Sequence, residues 1–531
     1  MNILNHASLR RVLELALLIS VGATFSFCQA ETQTPKVIAP PATFFQIVEE
    51  RDRRAARDFY RKYIDVGGLP VVAAGEVADE ALVRTYEIVT HLLAGRPDIL
   101  KAMHDTGMYL IIIGKDQVYT DMPEYSHADN PDFMNERVRG TGGKPTSFGE
   151  ENLLGLALDR YDDESIGVHE FCHTIDGTLR TIDPNWDNNL RETYRQATRN
   201  KLYEGAYASS NAGEYWAEIC QAYFDCNRVN NYNHGPIGTR EQLKAYDPVG
   251  YELVRSTFRL SPEQDWRYEF PNKIPQVIAP PAKLSIDPFY TKFSSARELI
   301  VVGRSASDEA MVQANNIVRK MFAYRQDILK AFIAEDLRLV VLGEGEGLGD
   351  LPELQAPVVR DKVDLLARYL EYAPEHKLMV VNQENLLANP NDPGVSSSQL
   401  VRVLASAIHQ VTGKRPVDPN WDQRPRDVWQ QYELRVSRVD ERFDSKLRDL
   451  YTKAVDDGKW QGTIAVHDHG AYWVAGVLAY FDATSQEPTP TDSPHAITTR
   501  ERLAEYDPGL YDLVRVTMAY DYRVDWRLNK N

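Results

Sequence analysis

The strongest constraint in this chain is that it repeats itself. KVIAPPA, from Lys36, returns as QVIAPPA from Gln276. ADEALVRTYEIVTHLLAGRPDILKAM, from Ala78, returns as SDEAMVQANNIVRKMFAYRQDILKAF from Ser307, and YLIIIG, from Tyr109, as RLVVLG from Arg338. ENLLG at Glu151 pairs with ENLLA at Glu384, and DPNWD occurs at Asp183 and at Asp418. TREQLKAYDPVGYELVRSTF, from Thr239, pairs with TRERLAEYDPGLYDLVRVTM from Thr499. The order is the same throughout. The 531 residues, too many for one core, therefore divide into two copies of a unit of about 240 residues, an ordinary domain size. The Pro-rich run IPQVIAPPA around Pro280 marks the junction, and the expected units are 31–272 and 273–531.

Each unit reads as α+β. LPVVAAG, from Leu69, has the continuous apolar character of a buried strand, DEALVRTYEIVTHLL is an amphipathic helix, and YLIIIG is a second strand. RGTGGKPTSFG, from Arg139 to Gly149, is a Gly-rich loop running toward an edge strand. Such a strand can hold an extended substrate by main-chain pairing; a plain surface loop is the other reading. Helices dominate the rest of the unit.

One stretch carries chemistry. His169-Glu170-Phe171-Cys172-His173 reads HExxH. Helical residues four apart share a face, so His169 and His173 offer two imidazoles to one ion. Glu170 lies beside them, placed to take a proton from a water on that ion, which is the zinc-peptidase arrangement. Asp162, Asp163 and Glu164 suit a helix start, and Gly177 a stop. A buried helix with two satisfied histidines is the bland alternative. A small mixed sheet packed on the HExxH helix, with a helical C-terminal part, is the zincin plan, so the fold expected is a tandem duplication of a zincin-like domain.

A catalytic zinc has three protein ligands and an open position. Asp176 and Leu179 stand where a Gly and a third His would complete HExxHxxGxxH, which excludes that pattern. A downstream Glu is the other solution, and Glu192, Glu214 and Glu218 are candidates. The second half discriminates. EYWAEICQAYFD aligns with AYWVAGVLAYFD, so Glu214 becomes Ala471 and Glu218 becomes Ala475. Counting back from DPNW with one gap puts His173 on His409, His169 on Ala405 and Glu170 on Ser406, while Glu192 meets Asp427 and stays acidic. Residues lost as a set act as a set, so Glu214 is the third ligand. Glu218 would stand behind it, hydrogen-bonding a ligand His, with a solvated helix face as the alternative. Tyr207 becomes Ile464, and a Tyr hydroxyl there would stabilise an oxyanion unless the ring only packs. Asp176 would orient His173, or simply be a helix-end acid.

These residues resemble the zinc-peptidase domain of anthrax lethal factor and its relatives, a branch of the gluzincins. That family reads HEFGH followed by Tyr-x-x-x-Asn-Glu-x-Glu-Phe-Phe-Ala-Glu. This chain has HEFCHTID, then Tyr207-Ala-Ser-Ser-Asn211-Ala-Gly-Glu214-Tyr-Trp-Ala-Glu218. The resemblance, over roughly 164–226, implies zinc ligands His169, His173 and Glu214, general base Glu170, transition-state Tyr207 and a supporting acid at Glu218. Cys172 replaces the family's Gly, and the interval from the second His to the Glu is shorter. The expectation is one Zn2+ per chain, a catalytic first half acting on a peptide or protein substrate, and a degenerate second half in which His409 alone holds no zinc.

Other classes are disfavoured or remain rivals. A net charge of −17 argues against nucleic acid or an anionic membrane as partner. Arg10, Arg11 and the apolar LELALLISVGATF, then Cys28-Gln29-Ala30, read as a signal peptide (1–30) cleaved before Glu31, which implies a secreted or periplasmic protein; a membrane anchor is the alternative, but the run is short and no later stretch would span a bilayer. Cys172, Cys220 and Cys226 then allow one disulfide plus a thiol, or three reduced cysteines. A secreted binding or adhesion protein with a structural zinc is the rival function, and a hydrolase of non-peptide bonds a third. The sequence carries no signal for oligomeric state.

Overall fold

A computed structural model describes residues 35–161, 163–203, 206–228, 237–271, 275–323, 325–361, 363–365, 367–392, 394, 396–412, 428–484 and 497–519. The expected signal peptide (1–30), Asp162, Asp427 and the second DPNWD lie outside them. The fold is α+β, with two four-stranded sheets among many helices.

The first sheet has the order β1 (Tyr60–Val66), β2 (Leu69–Ala74), β3 (Leu110–Ile113), β4 (Thr146–Gly149). β1 and β2 are antiparallel; β2–β3 and β3–β4 are parallel. Side chains alternate across it. Val71, Ala73, Leu110 and Ile112 face the helices, while Val72, Ile111 and Ile113 join Phe44, Tyr60 and Tyr109 on the other side. That two-sided burial explains the unbroken apolar runs. The second sheet, β5 (Lys292–Ala296), β6 (Leu299–Gly303), β7 (Arg338–Leu342) and β8 (Leu378–Asn382), has the same order and the same sense of pairing. The VIAPPA runs do the same work in each half: Ile38 exchanges two backbone hydrogen bonds with Tyr63 of β1, and Ile278 exchanges two with Phe293 of β5.

The helices used below are α1 (Asp79–Leu92), α2 (Ile166–Ile182), α3 (Trp186–Arg199) and α4 (Ala212–Tyr223), then α5 (Asp308–Met321), α6 (Gln399–Val411), α7 (Val428–Asp456) and α8 (His469–Tyr480). Helix α2 starts later and stops later than expected. Ser165 caps it by accepting from the Val168 N–H, and it runs through Gly177, which is exposed and not in a left-handed conformation, to Ile182. Burial of Thr178 and Leu179 beyond the glycine holds the last turn.

Contacts recur between the halves residue by residue, and they correct one reading of the sequence. The Ile166 N–H donates to Asn152 Oδ1, as the Gln399 N–H does to Asn385 Oδ1. Ser165 and Ser398 cap α2 and α6, and their N–H groups donate to the carbonyls of Cys226 and Ala483. Trp216 Nε1 donates to the Cys172 carbonyl at 2.8 Å, and Trp473 Nε1 to that of Ala405 at 2.9 Å. Trp186 meets Trp216 edge-on, as Phe443 meets Trp473. These pairs set Arg402 opposite His169, Val403 opposite Glu170, Ser406 opposite His173 and His409 opposite Asp176. The gap placed before DPNW belongs elsewhere, because the counterpart of α3 is the later part of α7.

Candidate metal centre

Two helices and one loop build the site. Helix α2 supplies His169, Glu170 and His173. Asn211 caps α4, its side chain accepting from the N–H groups of Gly213 and Glu214, and this fixes Glu214 in the first turn facing α2. His169 Nε2 and His173 Nε2 are 3.2 Å apart, and each lies 3.2 Å from Glu214 Oε2. Three basic atoms thus form an equilateral triangle. Three corners of a tetrahedron around an ion with bonds of about 2.0 Å are about 3.3 Å apart, so imidazole, imidazole and carboxylate fit Zn2+ in both donor type and spacing. Glu192 lies elsewhere: it is exposed and pairs with Arg195 and Arg199.

The charges are those of a cation site. Burial would raise the Glu214 carboxyl, but hydrogen bonds and charge from His169 and His173 outweigh it and hold its pKa well below the ordinary value. Burial opposes protonation of His169, yet a hydrogen bond donated to Glu214 and the charges of Glu170, Glu214 and Glu218 raise its pKa well above 6.5. Glu170 is raised by burial, only partly offset by the two histidines. Tyr207 starts a short 3-10 turn. Its ring stacks 6.2 Å from that of His169, and its hydroxyl bonds Glu214; burial and the Glu214, Glu170 and Glu218 carboxylates push its pKa far up, so it stays a donor.

Behind the triangle the structure rearranges two expectations. His169 Nδ1 donates to Gln221 Oε1 at 2.8 Å, and Gln221 Nε2 donates to the Ser165 carbonyl at 3.0 Å. The amide oxygen can only accept, so Nδ1 carries the proton and Nε2 presents its lone pair to the centre. Glu218 is buried in the place expected but lies 3.8 Å from His169 Nδ1, and Asn227 Nδ2 donates to it. Gln221 is the residue that the sequence comparison passed over, although its counterpart, Leu478, is apolar. Asp176 does not orient His173 among the described contacts. Its oxygens accept from Arg180 and from Trp186 Nε1, because α3 packs against that turn.

The Gly-rich loop covers Glu170. Arg139 anchors it, donating twice to Glu151 and also to the carbonyls of Gln117 and Gly114. Thr141 then pairs antiparallel with Ser147 of β4, so residues around 141 form the outermost strand-like segment and β4 is not the bare edge. A Cβ on Gly142 would stand 2.4 Å from the Cβ of His173, and one on Gly140 3.1 Å from Cγ of Glu170. Only glycine lets the loop lie this close.

The counterpart place in the second half is filled differently. Arg368 bonds Glu384 there as Arg139 bonds Glu151, and Leu370 pairs with Val380 as Thr141 does with Ser147, which sets Glu371 opposite Gly142. Ser406 Oγ donates to Glu371 at 2.6 Å. The exchange of His173 for Ser406 makes room for the acid, and no equivalent of the triangle forms among the described residues. Cys172, Cys220 and Cys226 are buried free thiols. No described helix is long and apolar enough to cross a membrane. No protein-family model matches the chain, and neither a curated protein nor a solved structure does.

Proposed function

We propose that the chain is an exported zinc-dependent peptidase of two zincin-like units in tandem, with residues 31–272 catalytic and 273–531 a degenerate copy without peptidase activity. The 3.2 Å triangle of His169, His173 and Glu214, with Glu170 on the same helix, carries this reading. The resemblance of 164–226 to the lethal-factor branch of the gluzincins supports it. A bound zinc supplies Lewis acidity, polarising a scissile carbonyl and making a water acidic.

The side chains do the rest. Gln221 fixes the His169 tautomer, and Asn211 aims Glu214. Glu170, its carboxyl raised by burial, accepts a proton from the attacking water and delivers it to the leaving amine. The protonated Tyr207 hydroxyl donates to the developing oxyanion. The segment around Thr141 offers main-chain groups to an extended peptide.

Replacing Glu170 by Gln keeps the shape and removes the base. Peptide-library cleavage is expected to fall by about 10²–10⁴-fold while bound zinc, measured by elemental analysis, is unchanged. Unchanged cleavage with zinc retained would sink the proposed mechanism.

A further inference from the structure

A second cluster converges in the other half, at a place that is not the counterpart of the triangle. His409 of α6, Asp444 of α7 and His469 of α8 bring one ligand atom each within 4.8 Å of one another. Asp444 Oδ1 lies 3.8 Å from His409 Nε2 and 3.5 Å from His469 Nε2. Both separations are too long for hydrogen bonds, and they approach the spacing of about 3.3 Å between donors that share a tetrahedral ion. The rings stand edge to face with centroids 4.9 Å apart. Arg448 Nε donates to Asp444 Oδ2 at 2.7 Å, which turns Oδ1 toward the imidazoles. Gly470 lets the start of α8 pass His409: a Cβ there would lie 3.1 Å from Nδ1.

The corresponding place in the first half is filled differently. There Arg180 puts its guanidinium between Asp176 and Asp187, a cation between two acids. Arg191 bonds Asp187 as Arg448 bonds Asp444, so Asp187 and Asp444 correspond. In the second half Asp176 is replaced by His409, while Asp444 keeps the acid. Counted along the sequence, His469 stands in the place of Ala212. Two imidazoles now stand around the retained carboxylate. Beside them opens a cavity of about 460 Å³, lined by Glu371, Ser406, His409, His467, Asp468 and His469.

We infer that His409, Asp444 and His469 form a second metal site, taking a divalent transition ion of the zinc class, with its remaining coordination open to that cavity. Two imidazoles and one carboxylate are the donor set for such an ion. The site is built from residues the peptidase reading does not use, so the full chain should hold two zinc ions rather than the one expected from sequence.

The test is zinc per chain by elemental analysis after loading with Zn2+ alone and desalting, repeated with Co2+ to read the visible absorption of a low-coordinate ion. The first variant is His173→Ser with Glu214→Ala, the residues the other half carries there. The second is His409→Ala with His469→Ala. The expected counts are two for the native chain, one for each double variant and none for all four substitutions. Two ions falling to one in the second variant alone would support this site even if the first variant changed nothing, an outcome that would refute only the peptidase centre. A first variant that folds by circular dichroism yet retains no zinc overturns the inference. If the second variant does not fold, the count on the first decides by itself.

Discussion

Gln221 and Gly142 each press on a histidine of the proposed metal triangle, one by a hydrogen bond to His169 and one by close approach to His173. Gln221 holds His169 in one tautomer, and Leu478, its counterpart, offers no such bond. Gln221→Leu should therefore weaken zinc binding about 10–100-fold in a chelator competition while leaving the helical circular dichroism unchanged. Gly142→Ala places a methyl 2.4 Å from the Cβ of His173. Loop or helix must shift, and zinc affinity is expected to fall at least as far as in Gln221→Leu; native affinity in that variant would show that the loop is free to retreat. His169, Glu170, His173 and Glu214 were legible because helical spacing and their loss in the other half are one-dimensional signals. Gln221 carried the second signal and was passed over. Asp176 was left open between two roles because one of its partners, Trp186, reaches it from another helix. His469 and Asp444 were invisible because they have no counterpart in function, and a repeat comparison reveals what is lost, not what is assembled anew.

β2 and β3 were readable as apolar runs because the sheet is covered on both faces, and amphipathic α1 because its buried positions keep a helical period; β1, whose exposed Arg61 and Asp65 interrupt the run, was not. Boundaries were less readable. Gly177 reads as a helix stop, yet packing beyond it carries α2 a further turn. Mid-helix glycine costs backbone entropy, and nothing lies within 4 Å of a Cβ built there. Gly177→Ala should stabilise the chain by about 0.5–1 kcal/mol, seen as a raised denaturant midpoint at constant slope. A lowered midpoint would mean that the glycine serves a contact made only with substrate. The misplaced gap has the same origin as the glycine error: DPNWD is a strong local match, but tertiary contacts pair Trp186 with Phe443.

Across the whole molecule, the described residues from Val37 onward form one compact unit, and charged groups tie its halves beside α2. Asp163, just before α2, meets Arg228 from its own half, and Arg297 and Arg319 from the other at 2.7 and 3.9 Å. Arg160 reaches Glu298 at 3.3 Å, and Lys330 pairs with the same acid. Arg297 and Glu298 are the turn between β5 and β6, both at positive φ, where the first half has Gly67 and Gly68. A hairpin of this kind favours glycine, so the side chains kept there cost backbone strain that their cross-half pairs offset. Burial works against the Asp163 carboxylate, but the three guanidiniums outweigh it and depress its pKa. A depressed carboxyl contributes stability above its unfolded value of about 3.9, and that contribution fades as pH falls through the lower folded value. Asp163→Asn should cost between the roughly 1 kcal/mol of an exposed pair and the 3–5 kcal/mol of a buried one at pH 7, with the difference from native shrinking toward acid. The loss should also uncouple the halves, splitting one calorimetric transition into two, of which only the transition of the first half moves with zinc bound at the triangle. A single transition whose deficit is the same at pH 7 and in acid would show that the halves hold together by apolar packing, with Asp163 a bystander.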